Sequence, residues 1–289
     1  QNSNLAEFES DPNLTIWQGD VRDLQEVDRA TEGVDQIYHL SAIVGVDRYC
    51  EFPLEVIDVN VMGTRNVFEC AQKKNIRVLF ASTSEVFGKN PAVPWQEDAD
   101  RVLGSTNVDR WTYSTSKALG EHMAFALGRS HGLRCAIVRF FNVYGPKQHP
   151  SFVVSRGIYR VLRNERPLVY DSGEQNRCFT YIDDAIDGMC LAANSDAGLG
   201  QAFNIGDNTP TTIRQVTEMI IEEADKKGQI EAEFVDTSET YGEGYEDVFE
   251  RVPVNDKAAH VLSWKAQVPL RTGINEFIGW AKHNEWWLK

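Results

Sequence analysis

The sequence contains no apolar run that approaches the roughly 18 to 20 residues of a membrane-spanning helix. Its first residues also lack the basic and apolar regions of a secretory signal. A membrane protein and a secreted precursor are therefore not the expected classes. The 289 residues are enough for one large globular unit or two closely joined lobes.

Paired cysteines and metal-binding histidine patterns are absent as well. The five cysteines are widely spaced and contain no C-x-x-C pair, and the six histidines form neither H-x-x-x-H nor H-E-x-x-H. This spacing favours reduced thiols in a cytoplasmic protein over a disulfide framework, and it predicts that the chain has no catalytic metal.

Basic residues are in short supply. The chain has 29 lysines and arginines against 43 acidic residues, and its formal net charge is −14. A broad acidic surface repels nucleic acid and anionic lipid. We therefore expect no nucleic-acid partner and no membrane partner, and an anionic small molecule would need a local pocket of arginines.

Strand and helix patterns alternate through the first two thirds of the chain. Short apolar stretches predict strands, and apolar residues at helical spacing predict helices. The predicted strands span 14–17, 36–40, 77–81 and 135–140, and the predicted helices span 23–31, 53–74 and 111–131. This alternation predicts an α/β fold class, with a doubly wound, Rossmann-like parallel sheet that is covered on both faces.

Polar residues follow the predicted strands at their carboxyl ends, where ligands gather in such sheets. They are Gly19 and Asp20, Ser41 and Ala42, Ser82 to Glu85, and Asn142. After Pro146 the pattern loosens into predicted helices at 152–163, 180–193, 212–226, 255–262 and 272–283, strands at 167–170 and 202–205, and an acidic loop at 237–250. We expect this part to form a smaller C-terminal lobe whose cleft faces the sheet.

A glycine-rich turn between a first strand and a helix is missing. Sheets that bind a dinucleotide normally begin with this element, which holds the pyrophosphate. Gly198-Leu-Gly200 and Gly242-Glu-Gly244 match it only in part, and neither joins a strand to a helix. The chain begins directly with what looks like the third strand of such a sheet, so we expect that roughly fifty residues, about one helix and two strands, are absent before it.

Tyr113 and Lys117 carry the chemistry that we expect at the strand ends. Four residues apart on the predicted helix 111–131, the two side chains share one face. A lysine in this place favours the phenolate, so the tyrosine can act as a base near neutral pH. The hydroxyl of Thr83 can share the proton of a substrate alcohol while a hydride leaves for a nicotinamide. The alternative interpretation of the pair is a surface tyrosine beside a solvated lysine.

Further motifs occur in one order along nearly the whole chain. They are Gly19-Asp-Val-Arg-Asp23, His39-Leu-Ser-Ala42, Asn60-Val-Met-Gly-Thr64, Ser82-Thr-Ser-Glu-Val-Phe-Gly88, Arg139-Phe-Phe-Asn-Val-Tyr-Gly-Pro146, Arg177-Cys-Phe-Thr-Tyr-Ile-Asp-Asp184, Phe203-Asn-Ile-Gly206 and Arg251-Val-Pro253. Together with Tyr113 and Lys117, they resemble the extended short-chain dehydrogenase/reductase family, specifically its NAD-dependent nucleotide-sugar epimerases, dehydratases and decarboxylases. The resemblance implies a dinucleotide-binding domain over 1–146, with a return segment near 176–206, and a nucleotide-sugar-binding lobe over 147–175 and 207–289.

The resemblance also implies roles for individual residues. Tyr113 would be the base, and the other catalytic candidates are Lys117, Thr83, Ser84 and Glu85. The cofactor NAD would contact Tyr113, Lys117 and a further set, namely Asp20, Val21, Leu40, Ser41, Ala42, Asn60, Ser82 and Phe141. A UDP-sugar would contact Asn142, Val169, Tyr170, Arg177 and Arg251. Guanidinium groups suit phosphate oxygens geometrically, whereas Val169 and Tyr170 would flank the base or pack in the core.

The resemblance implies a shared first step, in which Tyr113 takes the proton of the sugar 4-hydroxyl while C4 gives a hydride to NAD. An epimerase then returns the hydride to the other face, a decarboxylase releases carbon dioxide from a glucuronate, and a dehydratase removes water. The triplet Thr83-Ser84-Glu85 lacks the Asp-Glu pair of dehydratases and resembles decarboxylases and some epimerases. Residues 111–117 also resemble the decarboxylases.

On this basis we expect a UDP-sugar 4-epimerase that acts on UDP-glucose or UDP-glucuronate, because epimerases are the broadest group on this scaffold. The first alternative is a UDP-glucuronate decarboxylase. An inactive nucleotide-sugar-binding remnant without NAD is the alternative from another class. The resemblance further implies a homodimer in which helices 53–74 and 111–131 pair with their copies, unless their apolar faces are satisfied within one chain.

Overall fold

The computed structural model describes residues 4–241 and 246–289. The first part of the chain alternates between helices and strands: α1 (Leu24–Ala30), β1 (Gln36–His39), α2 (Val46–Glu51), α3 (Pro53–Ile57), α4 (Gly63–Lys73), β2 (Arg77–Thr83), α5 (Thr112–His131) and β3 (Cys135–Phe140). A π-helical segment, Asp58–Met62, joins α3 to α4, so the predicted helix 53–74 is confirmed as one continuous helical stretch.

The second part has shorter strands between its helices. Its elements are β4 (Val143–Tyr144), α6 (Val153–Leu162), β5 (Leu168–Tyr170), β6 (Asn176–Arg177), β7 (Thr180–Tyr181), α7 (Ile182–Asn194), β8 (Ala202–Ile205), β9 (Thr211–Thr212), α8 (Ile213–Glu223), β10 (Glu233–Val235), α9 (Thr237–Tyr241), β11 (Glu250–Arg251), α10 (Asp256–Leu262) and α11 (Leu270–His283). Short 3₁₀ turns include Ser84–Phe87 and Asp109–Trp111.

A four-stranded parallel sheet with the order β1-β2-β3-β8 forms the centre of the molecule. Successive side chains of a strand point to opposite faces, and accordingly Phe80 packs with α4 and α5 while Leu79 packs with α7 and α10. Both faces are therefore covered, which explains why β2 and β3 are almost wholly buried. The predicted α/β class with a parallel sheet is confirmed.

A separate apolar core holds the C-terminal part together. Helices α6, α8 and α11 pack around Ile158, Ile220 and Phe277, and Trp287 of the last 3₁₀ turn closes this core. The short strands lie beside it: β5 pairs with β10, and β6 pairs with β9 and β11. This packing sets β6 and β11 opposite the carboxyl ends of the central strands, where the cleft described below lies.

The predicted strand 14–17 is wrong. Residues 14–20 adopt no regular structure, and Ile16 and Trp17 are 58% and 64% exposed. The apolar composition of this stretch favours a strand, but a strand needs a hydrogen-bonded neighbour, and none of the described residues pairs with it.

Two further differences concern loops. Helix α2 was not predicted, and it buries Tyr49. The predicted loop 237–250 contains α9 and β11, whereas Gly242-Glu-Gly244 lies outside the described residues. Within 4–241 and 246–289, no helix is long and apolar enough to cross a membrane, and no three side chains of the metal-binding types form a group suited to a metal ion.

Candidate active site

A cleft of about 780 Å³ lies at the carboxyl ends of the central strands. Its floor is formed by the residues that follow β1, β2 and β3, among them Leu40, Thr83 and Asn142. The C-terminal lobe supplies the facing wall, which includes Tyr170 and Arg177. The volume and the position between two lobes are typical of a small-molecule site in an open α/β sheet.

The cleft concentrates positive charge in an acidic protein. Five cationic side chains line it, namely Arg110, Lys117, Arg156, Arg177 and Arg251, against the three acids Asp47, Glu85 and Asp247. The whole chain, by contrast, carries a formal charge of −14. This local excess meets the requirement that the sequence analysis set for binding an anionic small molecule.

Parallel pairing of β6 with β11 places two of these arginines side by side. Arg177 and Arg251 are partners in the register, and both are buried. Asp247 forms an ion pair with Arg177 at 3.2 Å, and Glu85 accepts a hydrogen bond of 2.6 Å from Arg251. Adjacent like charges repel each other, so this corner of the cleft is stable only with acids or a bound anion beside it.

Helix α5 carries Tyr113 and Lys117 into the cleft, on the face that packs against β2. The Lys117 ammonium donates a hydrogen bond of 2.7 Å to the carbonyl oxygen of Ala81 and lies 4.9 Å above the ring of Phe80. Burial lowers the pKa of Lys117 to about 8, although Glu121 opposes this effect. Lys117 is therefore still mainly protonated at neutral pH, and a backbone carbonyl holds its ammonium group in the cleft.

The pKa of Tyr113 differs from the expectation, which was that Lys117 lowers it. Its pKa is raised, first because the side chain is buried and second because the Glu85 carboxylate lies nearby, whereas a hydrogen bond with Thr83 opposes the rise. Tyr113 stacks on Tyr49 with ring centroids 5.4 Å apart and planes 11° apart. Burial and Glu85 therefore favour the protonated form of Tyr113, and the pairing with Lys117 alone does not produce the phenolate.

Glu85 sits between two arginines from different parts of the chain. Arg110 donates a hydrogen bond of 2.5 Å to one carboxylate oxygen, and Arg251 donates one of 2.6 Å to the other. Burial opposes ionisation of Glu85, but the two guanidinium groups overcome it and hold the pKa of Glu85 well below its usual range. Glu85 is therefore a carboxylate at neutral pH, and with its two partners it gives this end of the cleft a net positive charge.

A second buried carboxylate lies behind the cleft. Glu121 accepts hydrogen bonds of 2.9 and 2.6 Å from Arg139 and a further one from the hydroxyl of Ser82. Arg139 also donates to the backbone carbonyl of Glu97. Ser82, which lines the cleft, is thereby fixed in orientation by an ion pair that lies between α5 and the sheet.

The candidates for NAD binding divide into three groups. Besides Tyr113 and Lys117, the cleft is lined by Leu40, Ala42 and Ser82. Asn60 lies below it, where its side chain accepts from the backbone N–H of Ile43 and donates to Ser116. The remaining four candidates do not line the cleft: Asp20, Val21, Ser41 and Phe141.

The positions of three of these residues, Asp20, Val21 and Phe141, have local causes. Asp20 pairs with Arg22, which lowers the pKa of Asp20 to about 2, and the backbone carbonyl of Val21 accepts from Asn66. Phe141 is fully buried beside Phe87, and Phe140 lines the cleft instead. The cleft residues fit the nicotinamide end of a dinucleotide, but residues 4–241 and 246–289 contain no glycine-rich turn for its pyrophosphate.

Four of the five candidates for substrate binding line the cleft: Asn142, Tyr170, Arg177 and Arg251. Asn142, at a positive φ of 38°, donates to the carbonyl oxygen of Cys178. The fifth, Val169, is fully buried and packs in the core, which was its alternative interpretation. The sequence reasoning missed Tyr49, Arg110, Arg156 and Asp247. Only Arg110 had a usable signal, since it directly precedes the segment 111–117.

Comparisons with known proteins agree with this geometry. A protein-family profile described as GDP-mannose 4,6 dehydratase matches residues 1–277. A UDP-N-acetyl-alpha-D-glucosaminuronate decarboxylase of Bacillus cytotoxicus is 36% identical over 87% of this chain and 78% of its own length. A UDP-glucuronic acid decarboxylase 1 of Xenopus tropicalis is 32% identical over 85% of this chain, which spans 56% of that relative.

Solved structures show the same fold. A dTDP-glucose 4,6-dehydratase of Streptomyces venezuelae with NAD bound superposes with a TM-score of 0.88 at 27% identity, over 99% of this chain and 86% of the other. A UDP-glucose 4-epimerase of Thermus thermophilus in complex with NAD gives a TM-score of 0.82 at 26% identity, over 94% of this chain and 86% of the other.

Proposed function

Because the chain belongs to the GDP-mannose 4,6 dehydratase family of nucleotide-sugar enzymes, we propose that it oxidises C4 of a UDP-uronate with NAD and releases the sugar carboxylate as carbon dioxide. The observation that carries this proposal is the carboxylate of Glu85 held between Arg110 and Arg251 beside Tyr113. The identity of 36% to a UDP-uronate decarboxylase supports the choice of reaction.

The arginines of the C-terminal lobe would bind the diphosphate. Arg177 and Arg251 are adjacent in the register of β6 and β11, and both line the cleft. A diphosphate would replace Asp247 on Arg177, since a guanidinium fork pairs well with phosphate oxygens. Tyr170, whose ring is covered by the guanidinium of Arg156 at 5.0 Å, offers an aromatic face for the nucleotide base.

Tyr113 and Thr83 would act on the 4-hydroxyl of the sugar. The hydroxyl groups of these two residues are hydrogen-bonded and therefore lie close together. A substrate hydroxyl bound beside them would meet Tyr113 as proton acceptor and Thr83 as a second hydrogen-bond partner. NAD, when bound, would accept the hydride that leaves C4 and would give it back to C4 after carbon dioxide is lost, so that the net reaction replaces the carboxylate by a proton. Tyr113 must be ionised before it can take this proton, and Lys117, mainly protonated at neutral pH, is the cation that favours the phenolate.

Decarboxylation follows from the chemistry of the 4-keto sugar. The carboxylate on C5 is then β to a ketone, and its loss leaves an electron pair that the ketone oxygen accepts. Tyr113, now protonated, and Thr83 can donate hydrogen bonds to that oxygen. The excess of cationic side chains along the cleft suits a substrate that carries a second anionic group besides its diphosphate.

Product analysis tests the reaction. Incubation with NAD and UDP-glucuronate or UDP-N-acetylglucosaminuronate should give a nucleotide sugar lighter by one carbon dioxide, measured by mass spectrometry. Tyr113→Phe, the matched control, removes only the hydroxyl and should lower the rate by at least about 100-fold. A product of unchanged mass would contradict decarboxylation, and binding of UDP-sugar without NAD in calorimetry would instead support the binding remnant.

The 4-epimerase, which was the first expectation from the sequence, is the second candidate. The observation in its favour is the likeness to a UDP-glucose 4-epimerase at 26% identity, together with the shared first step at Tyr113. This reaction predicts a product of unchanged mass with inverted configuration at C4, which NMR identifies. UDP-glucose, which has no carboxylate, separates the two candidates because only an epimerase converts it.

We also propose that two copies of the chain pair through α3, α4 and α5. Leu54 is 76% exposed, and Ile57, Met62 and Leu119 are exposed as well, although all four are apolar. Pairing with a second copy would remove these side chains from water. Sedimentation should show a dimer, and Leu54→Glu should give a monomer; a monomeric wild type would contradict the proposal.

The cytoplasmic location stays a prediction from the cysteine pattern.

A further inference from the structure

Arg110 is among the largest fully buried side chains of the described residues, with 1% of its surface exposed. It lies in the 3₁₀ turn Asp109–Trp111, immediately before α5. A buried guanidinium cannot lose its charge, because its pKa is far above neutral, so it must be paired. The partners of Arg110 are therefore informative, and two of them belong to the candidate active site.

The first partner is Glu85, to which Arg110 donates the hydrogen bond of 2.5 Å. This contact fixes one oxygen of a carboxylate whose other oxygen is held by Arg251. Glu85 in turn is the nearby charge that helps to raise the pKa of Tyr113. The charge of Arg110 thus offsets a charge that acts directly on the proposed base.

The second partner is Tyr49. The guanidinium carbon of Arg110 lies 5.7 Å from the centre of the Tyr49 ring, and this ring stacks almost parallel on that of Tyr113. A cation over an aromatic face is attracted to it. The guanidinium of Arg110 also lies 5.2 Å from the ring of Trp111. The row Arg110, Tyr49, Tyr113 thus runs from the buried charge to the reacting hydroxyl.

We propose that Arg110 is a positioning residue that acts on both sides of the reacting tyrosine: it fixes Glu85 through a buried ion pair and fixes the ring of Tyr113 through Tyr49. This inference rests on the proposed function, in which Tyr113 takes the proton of the substrate. It gives a role to a residue that lines the cleft but whose guanidinium is engaged by protein groups.

The charged and titratable groups around Tyr113 determine the sign of the expected pH effect. Glu85 raises the pKa of Tyr113 and is paired with Arg110 and Arg251, whereas a hydrogen bond with Thr83 opposes the rise. Lys117 and Asp47 also line the cleft, and Cys50 packs against the cluster that contains Tyr113. Without Arg110, the charge of Glu85 is less well neutralised and the phenolate of Tyr113 is disfavoured further. A variant without the charge of Arg110 should therefore have a higher pKa at Tyr113, and its pH profile should shift to higher pH.

Three variants separate the two contacts. Arg110→Gln removes both, Arg110→Lys keeps the charge but loses the planar fork, and Tyr49→Leu removes the stack while it leaves Glu85 paired. Turnover is measured with NAD and with UDP-glucuronate or UDP-N-acetylglucosaminuronate. We expect it to fall about 100-fold for Arg110→Gln and about 10-fold for the other two variants, since small misplacements of reacting groups are costly. Only Arg110→Gln should move the rising limb of the pH profile to higher pH.

Substrate affinity and folding are the controls. The Kd for UDP, measured by calorimetry, should stay within about twofold of wild type, and thermal unfolding should stay cooperative. Lys227→Gln, a change at an exposed ion pair with Glu222, is the control, and its turnover should be near wild type. Unchanged turnover and pH profile in Arg110→Gln would overturn the inference. If Arg110→Gln does not fold, equal turnover of Tyr49→Leu and wild type would overturn it.

A ligand-free measurement keeps this inference distinct from the reaction itself. The ring-carbon NMR signal of Tyr113 in tyrosine-labelled protein, assigned by its loss in Tyr113→Phe, reports the ring environment. It should shift in Arg110→Gln and in Tyr49→Leu, and it should stay in place in Arg22→Gln, a change at an exposed ion pair. No shift in the first two variants would contradict the role of Arg110. Absence of turnover in wild type, by contrast, would count only against the proposed reaction.

Discussion

Two buried glutamates flank the pair Tyr113 and Lys117, and they are held in different ways. Glu121 lies behind the cleft, where a single arginine, Arg139, binds both of its oxygens. Glu85 lies at the cleft, where Arg110 and Arg251 each bind one oxygen. Little of either carboxylate is exposed. Glu121 is bound by one guanidinium group, whereas Glu85 links two arginines from different parts of the chain.

The difference concerns what each pair can do besides stabilise the fold. The Arg139 and Glu121 pair satisfies itself and fixes Ser82, and Arg139 does not line the cleft. Glu85, Arg110 and Arg251 all line it, and Arg251 comes from the C-terminal lobe. The arginines that bind Glu85 face the cleft, so a ligand can replace Glu85 as their partner. The ion pair of Arg139 and Glu121 does not face the cleft, so a ligand cannot take part in it.

Glu121→Gln should have the largest effect and should act on stability. It leaves Arg139 as an unpaired buried charge, so the free energy of unfolding should fall by about 3–5 kcal/mol. Urea denaturation followed by circular dichroism measures it. Glu69→Gln, at an exposed ion pair with Arg65, is the matched control and should cost less than about 1 kcal/mol. A small loss in Glu121→Gln would contradict the view that this pair is closed to water.

Glu85→Gln should act mainly on turnover. Glu85 borders the open cleft with 13% of its side chain exposed, so we expect a smaller loss of stability than for Glu121→Gln, about 1–3 kcal/mol. Turnover should fall about 100-fold, since the reacting end of the cleft loses its order. Steady-state kinetics beside urea denaturation tests both parts; a stability loss as large as that of Glu121→Gln, with normal turnover, would reverse the comparison.

The smallest expected effect is on the pH dependence of stability. Burial opposes ionisation of Glu85, but its two arginines hold its folded-state pKa below the usual value of 4.5. Its contribution is therefore complete above that value and is lost as the pH falls toward the folded-state pKa. Between about pH 5 and pH 3, wild type should lose stability more steeply than Glu85→Gln. Parallel curves for the two proteins would show that the ion triad does not hold Glu85 ionised.

Prediction from the sequence succeeded where a local pattern carries the information. The parallel sheet, the helix 111–131 and the strand ends that bear Thr83 and Asn142 all follow from periodicity and from residue type. It failed at residues 14–17, because their composition is that of a strand but pairing depends on a neighbour that composition does not describe. It also missed Tyr49, which lies on a short helix with no strong pattern.

The sequence by itself determined the fold class, the pair Tyr113 and Lys117, and the need for arginines in an acidic chain. Only the tertiary structure decided which arginines meet at the cleft. Arg110 and Arg251 are 141 residues apart in sequence, yet both bind Glu85. It also decided the ionisation of the site, since the pKa of Tyr113 and of Glu85 depends on burial and on charges that folding brings together.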